Sequence, residues 1–263
     1  MTTFQTLASS SAGNAALFSR GETHLLIDMG ISCRRLCQSL AQAGLSPEAL
    51  AGVVITHEHS DHIGGLATYI KKYRTPILCT PGTARQLAYR LAGVEALLRP
   101  LPLGERAQAG EVCLTLLPTS HDCRESAAVR LDTPDGRVGY LTDTGCIPEE
   151  TGRALLGSEL LVLESNHDEQ MLLSGPYPYA LKRRVLGPQG HLSNADAARY
   201  AAASVRAGTR TILLAHLSRE NNTPPLALET VEAALEGADC RLCAAPWNTA
   251  SERFCLEDVR CRG

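Results

Sequence analysis

No apolar run in this 263-residue chain approaches the roughly 18 residues a membrane-spanning helix needs. The N-terminal stretch MTTFQTLASSSAGN has no basic segment leading into an apolar one, so export is not expected and the cytoplasm is. No stretch is rich enough in Pro, Gly or Ser to link two domains, and no period repeats. One domain covering 1–263 is therefore expected. Charge is also in short supply on either side: 25 Lys and Arg stand against 28 Asp and Glu, a formal net charge of −3. A protein that grips nucleic acid through bulk positive charge alone is disfavoured by that balance. Aromatic rings are scarce, with 3 Phe, 7 Tyr and 1 Trp. What is present is ordinary globular material, 44% hydrophobic and 20% charged, with enough length for a sizeable core.

The ten cysteines do not suggest a disulfide framework, because the chain is long enough to fold without staples and carries no export signal. Cys240 and Cys243 with Cys255 and Cys261 have the rough outline of a structural zinc site. Their spacing is too unspecific to outweigh idle reduced thiols, and Cys33 and Cys37 read as helix packing.

Periodicity reads as α/β. The first thirty residues alternate as strands around turns at Ser11–Asn14 and Gly21, and Ser32 can cap a helix running to about Gly44. Strands VVIT (53–56) and PILCT (76–80) are separated by an expected helix from Gly65 to Tyr73, and another helix runs from Thr83 to Leu91. The middle is strand-rich (EVCLTLLP, SAAVRLDT, RVGYLTDTG), with a hairpin signal at Pro134-Asp135-Gly136. Helices near 148–156, across 178–206 and near 226–236 then alternate with strands ELLVLES and TILLAHLS, and strands near 240–245 and 252–256 close the pattern. Strand-rich halves that each end in helices imply two packed sheets with helices on both outer faces.

The chemistry concentrates at His57-Glu58-His59-Ser60-Asp61-His62, directly after VVIT. Imidazoles and a carboxylate in six residues at a strand end can face one point, and that donor set suits Zn²⁺, Mn²⁺ or Fe. Further downstream, His121, Asp143 and His216 each follow an apolar strand.

The H-x-H-x-D-H cluster and those three positions resemble the metallo-β-lactamase superfamily. The resemblance covers nearly the whole chain and implies the αββα four-layer sandwich. It also implies two divalent ions, Zn²⁺ or Mn²⁺ ahead of Fe or Mg²⁺. His57, His59 and His121 would hold one ion, Asp61, His62 and His216 the other, and Asp143 would bridge them. A shared water made nucleophilic at neutral pH is the implied catalyst, with Asp61 among the catalytic residues.

Within the superfamily, Glu164, the Gly190-His191-Leu192-Ser193 segment and His216-Leu217-Ser218 look like the phosphodiesterase branch typified by tRNase Z. There an extra His, here His191, serves the scissile phosphate with the support of an acid, here Glu164. Without the resemblance, His191 reads as a capping and packing residue and Glu164 as a solvated strand-end carboxylate. The segments Leu7–Asn14, Glu164–Asp168, Gly190–Asn194 and His216–Asn222 together look like the YycJ (WalJ) group, whose expected activity is 5′→3′ DNA exonuclease with a role in DNA repair. Metal-bridging hydroxide would attack phosphorus in a nucleic-acid substrate, DNA ahead of RNA. A long inserted arm of the kind tRNase Z uses is not apparent.

Candidate substrate contacts are Ser10, Ser11 and Asn14 in the first turn, Asn166 after Glu164, Arg219 and Asn222 beyond His216, and Lys182 and Arg183 of a basic run that continues to Arg184. Tyr177 and Tyr179, flanked by prolines, are the local aromatic pair. His24 reads as an ordinary strand residue and His167 as a neighbour of the site. Two rival functions share the metal positions: a small-molecule hydrolase of the glyoxalase II type, with weak lactamase activity as a variant, and a binding protein that keeps the fold without catalysis. Oligomeric state is left open by the sequence.

Overall fold

Alternating burial along the strands builds two sheets face to face. The computed structural model describes residues 1–256. One seven-stranded sheet takes β1 (Thr2–Ala8), β2 (Ala15–Arg20), β3 (Thr23–Ile27), β4 (Leu50–Val54), β5 (Ile77–Cys79) and β6 (Leu98–Pro100). The other takes β7 (Arg106–Ala109), β8 (Val112–Pro118), β9 (Ala127–Thr133), β10 (Gly136–Leu141), β11 (Leu160–Glu164), β12 (Thr211–Ala215) and β13 (Arg241–Ala244). Strand β14 (Phe254–Cys255) returns to pair with β1 at the edge of the first sheet. In each sheet an antiparallel run (β1 to β3, β7 to β10) gives way to a parallel one (β3 to β6, β10 to β13).

Successive residues on one strand serve different cores because strand side chains alternate between faces. Leu25 and Ile27 join Val162, Leu213, Phe4 and Phe18 between the sheets. Leu26 packs outward with Leu36, Leu40 and Leu87, which belong to α1 (Cys33–Gln42) and α4 (Pro81–Arg90). On the far side Leu161, Leu163 and Leu214 meet Ala197, Ala201 and Val231 of α8 (Asn194–Arg206) and α9 (Pro224–Leu235). Four layers result, helices outside and sheets within, as the expected αββα sandwich requires. Among the described residues, no helix is long and apolar enough to cross a membrane.

Several local readings change. The helix expected over Gly65–Tyr73 is only one turn long, α3 (Leu66–Tyr69), and a second short helix, α2 (Ser60–Ile63), precedes it inside the polar cluster. They are separated where Gly65 presses on the loop after β3, since a Cβ there would lie 2.1 Å from the Ile31 carbonyl oxygen. Strands β6 and β7, helices α5 (Glu149–Leu155), α6 (Glu169–Ser174) and α7 (Tyr179–Leu186) and a 3-10 turn at Pro47–Ala49 complete the described elements. The Asp-Gly hairpin forms as read, with Thr133 opposite Gly136 across the β9–β10 turn.

Candidate metal centre and catalytic site

The strands deliver their chemistry at one edge of the sandwich, where the carboxyl ends of β3, β4, β8, β10, β11 and β12 lead into loops. His57 follows β4, His121 follows β8, Asp143 follows β10, Glu164 ends β11 and His216 follows β12. Among the described residues four non-glycine positions have positive φ, and three of them, Asp28 (59°), Asp143 (57°) and His216 (55°), are in this cluster. Asp and His tolerate the left-handed region better than most residues. Its concentration here is the kind of backbone strain that functional sites hold in place.

Six of the eight histidines form a continuous chain of rings. Centroids lie 4.6 Å apart for His57 and His59, 4.1 Å for His57 and His62, and 4.9 Å for His59 and His121. The chain continues at 5.1 Å from His121 to His191 and 5.2 Å from His191 to His216. Potential ligand atoms within 4.8 Å of one another group as His57/His59/His121 and as Asp61/His62/His216, the two sets the resemblance implies. Asp143 groups with His57 and His62, and again with Glu164, His191 and His216. His57 Nε2, His216 Nε2 and one Asp143 carboxylate oxygen are buried and make no hydrogen bond. Orphaned buried polar atoms of this kind need a partner, and borderline-soft imidazole nitrogens with hard carboxylate oxygens fit divalent cations.

The rings of His62, His121, His191 and His216 are held from behind. Asp28, fully buried, receives hydrogen bonds from the Thr56 backbone N–H and hydroxyl (2.9 and 3.0 Å) and lies 2.8 Å from His62 Nδ1. The Gly190 carbonyl is 3.1 Å from His121 Nδ1. Gly190 has no room for a side chain, because a Cβ would lie 2.2 Å from the Val185 carbonyl oxygen. Glu164 is fully buried, not solvated. One of its oxygens is 2.8 Å from His191 Nδ1 and 2.9 Å from His216 Nδ1, while the other accepts from the backbone N–H groups of Thr144 and Leu192. Such outer partners fix ring orientation and tautomer.

The electrostatics are tightly coupled. Burial pushes His57 well below the usual imidazole value, and His62 adds to the effect. Burial would raise the Asp143 carboxyl, but the His216 and His62 imidazoles hold it well below the carboxylate range. Asp61 is held down in the same way by His62 and His216 against its burial. Glu164 stays at about 2, with His191 and His216 outweighing desolvation. In return His216 is carried up to about 10 by Asp143, Asp61 and Glu164 despite burial. Imidazoles that balance these carboxylates with protons must release them to ligate a cation, so metal uptake and proton release are linked here.

Beside the cluster lies a cavity of about 170 Å³ with His121, His191, Asn166, Asn221, Ser11 and Arg184 in its lining. Of the expected substrate contacts, Ser11 and Asn166 lie on this wall, and the Asn166 amide also donates to the His216 carbonyl (2.8 Å). Asn14 is buried against the cluster, 3.2 Å from Asp61 Oδ2 and 3.1 Å from His62 Nε2. Ser10 is buried in the first turn, its hydroxyl accepting from Ala12 N–H. Asn222 faces inward to Ser165 and Asn194, away from the cavity. Arg219 pairs with Asn248 at the surface. Lys182 donates to the Leu173 carbonyl (2.6 Å) and Arg183 lies over Tyr179. The third residue of that run, Arg184, is the one that reaches the cavity, in an ion pair with Asp122.

Ser218 and Asn221, within the His216–Asn222 segment, also lie on the wall, whereas Asp28 and Asp122 are site neighbours that the sequence reading did not single out. Asp28 closes an apolar strand, the same signal that marks Asp143, and was legible on that ground. His167 is buried outside the ring chain, neither ring nitrogen hydrogen-bonded, and His24 on β3 pairs with Ser19 on β2. No cysteine enters a potential metal group among the described residues. Cys261 lies outside them.

Residues 23–217 match the family described as beta-lactamase superfamily domain. The sequence is 33% identical over 234 residues to exodeoxyribonuclease YycJ of Bacillus anthracis, covering 89% of each chain. It is also 33% identical over 239 residues to exodeoxyribonuclease WalJ of Streptococcus pneumoniae, covering 90% of this chain and 89% of that one. Among solved structures, the metallo-β-lactamase fold protein YhfI of Bacillus subtilis superposes with a TM-score of 0.70 at 19% identity, over 96% of this chain and 100% of that one. The short form of human tRNase Z gives 0.63 at 14% identity, over 95% and 98%. At these identities the two structures speak to fold.

Proposed function

The chain belongs to the beta-lactamase superfamily, alongside the YycJ and WalJ exodeoxyribonucleases, and from that premise we propose that it is a metal-dependent phosphodiesterase that removes nucleotides from the 5′ end of DNA. The observation that carries this reading is His191 on the cavity wall, its Nδ1 engaged by the buried carboxylate of Glu164. Cleaving a phosphodiester expels a sugar alkoxide, which needs a proton as it leaves. A thioester expels a thiolate, stable near its ordinary pKa of about 8.5 without that help. An imidazole fixed at Nδ1 presents Nε2 as a proton carrier, which favours the phosphodiester.

His57, His59 and His121 would hold one divalent ion and Asp61, His62 and His216 a second, with Asp143 in reach of both groups. Bound there, such ions would bring a water's pKa toward neutrality and offset charge on the phosphate. The chain's own residues do the rest. Asp28, Glu164 and the Gly190 carbonyl keep the rings from rotating. Arg184, Asn166 and Ser11 offer donors to phosphate oxygens on the cavity wall. His191 Nε2 passes its proton to the departing oxygen, and Glu164 stabilises the ring's charge while it carries that proton.

The test is digestion of end-labelled single- and double-stranded DNA and RNA by purified protein supplied with Mn²⁺, Mg²⁺ or Zn²⁺. Nucleotides should leave from the 5′ end of DNA. Asp143→Ala should abolish the reaction, and His191→Ala should slow it by roughly 10²- to 10⁴-fold. DNA left intact with every metal overturns the proposal, and so does S-lactoylglutathione hydrolysis that His191→Ala leaves untouched.

A further inference from the structure

Among the described residues five large hydrophobic side chains are exposed, and three of them, Leu173 (52%), Tyr179 (75%) and Leu186 (41%), lie on α6 and α7. The same α7 carries Lys182, Arg183 and Arg184 and no acidic residue. In a chain of net charge −3, α7 concentrates three cations and an exposed ring, and its Leu181, Arg184 and Val185 line the cavity beside the metal-ligand cluster. Its parts are held in place. Arg183 sits with its guanidinium carbon 6.0 Å from the Tyr179 ring centroid, a cation–π contact that steadies the ring from one side. Pro176 and Pro178 bracket Tyr177, and Pro178 caps α7 in an extended conformation (φ −58°, ψ 148°). Fixed φ at the prolines means that little backbone freedom is lost when the rings are covered. Tyr177, Leu181 and Arg184 then line the cavity, with Arg184 paired to Asp122 next to His121.

Ring, cations and cavity therefore follow one another toward the cluster. A solvated basic helix has no need of an exposed tyrosine and leucine of its own and a further exposed leucine on the neighbouring α6, and a protein-docking patch is depleted of charge at its centre. Polyanions with planar bases match both features at once. We propose that the Pro176–Tyr179 segment and α7 form a landing platform for single-stranded nucleic acid, one base lying on Tyr179 and the neighbouring phosphates meeting Arg183 and Arg184 before the strand turns into the cavity. The platform rests on the phosphodiesterase reading and adds how the strand is presented: unpaired at α7, with sequence-independent contacts.

Fluorescence anisotropy with Mn²⁺-supplied protein tests it. The probe is a 5′-phosphorylated, phosphorothioate-linked DNA strand of about 12 nucleotides, within the range of single-strand site sizes, beside a matched strand made of abasic sites. Tyr179→Ala should raise Kd about tenfold on the base-bearing strand and leave the abasic strand unchanged, and Tyr179→Phe should restore binding. Equal loss on both strands, or no loss on either, overturns the platform. Binding of duplex but not of single strands overturns it too, while leaving the phosphodiesterase reading intact. A parent protein that neither binds nor cuts any nucleic acid brings down that underlying reading instead.

Discussion

Glu164 is shared by two imidazoles, His191 at the cavity and His216 in the ligand cluster, so its replacement has two consequences that can be read separately. Glu164→Gln keeps the shape but removes the charge that both rings face. We expect catalytic efficiency to fall about 10- to 100-fold and the metal concentration for half-maximal activity to rise, as for other outer partners of ligating histidines. Titrating activity against Mn²⁺ at fixed substrate measures both. If neither moves, Glu164 is only a buried carboxylate. At this scale the sequence was informative wherever spacing was local. His57, His59, Asp61 and His62 lie within six residues, so their meeting needed no knowledge of tertiary structure. Glu164 was harder to read, because burial decides whether a strand-end carboxylate is a solvated charge or an anchor. The basic run shows the same limit. Consecutive helical side chains point about 100° apart, so Lys182, Arg183 and Arg184 cannot all share one face, and nothing local indicates that Arg184 is the one reaching the cavity.

Elements with strong alternation or caps were legible, and weakly patterned ones were not. Ser32 caps α1 and Ser193 caps α8, each side chain accepting a backbone N–H. Strands β11 and β12, each with a run of four apolar residues, are parallel strands buried on both faces. By contrast β6 and β7 have three and four residues with half-exposed patterns, which leaves no apolar signal to read. The β9–β10 hairpin supplies a prediction of its own. Asp132 on β9 takes two bonds from Arg130 (2.6 and 2.9 Å) and one from Arg137 on β10 (3.0 Å), and the arginines continue to the Ala154 and Leu156 carbonyls around the end of α5. Burial raises the Asp132 carboxyl, but the two arginines hold it below its ordinary value of 3.8. A depressed folded pKa stabilises the fold above the unfolded value, and the contribution is lost as pH falls through the folded one. Asp132→Asn should therefore cost about 0.5–1 kcal/mol at pH 7, given partial exposure. The gap from the parent should shrink once pH drops below 3.8. Urea unfolding across pH checks this, and a gap independent of pH would mean that the ion pairs contribute nothing.

For the whole molecule the question is how an acidic chain holds a polyanion. Net charge is −3, so attraction cannot come from a broad positive surface. It must be local, at a cation-loaded His/Asp cluster and at the few basic residues of α7. That arrangement predicts a weak salt dependence. Each phosphate neutralised on a single strand contributes about −0.7 to the slope of log K against log salt, so two or three contacts give about −1.4 to −2.1. Arg183→Ala should make that slope shallower by about 0.7, removing one contact. Anisotropy between about 50 and 200 mM KCl, at constant Mn²⁺, measures both quantities. A slope near −5 in the parent would mean that the strand lies along a long basic track, which the charge distribution does not provide. An unchanged slope in Arg183→Ala would remove that residue from the path. The shallow slope has a functional consequence of its own. With little general attraction for DNA, the protein would hold a strand only where an end can be seated, ring against base and phosphate in the cavity, which is what an exonuclease needs in order to ignore continuous duplex.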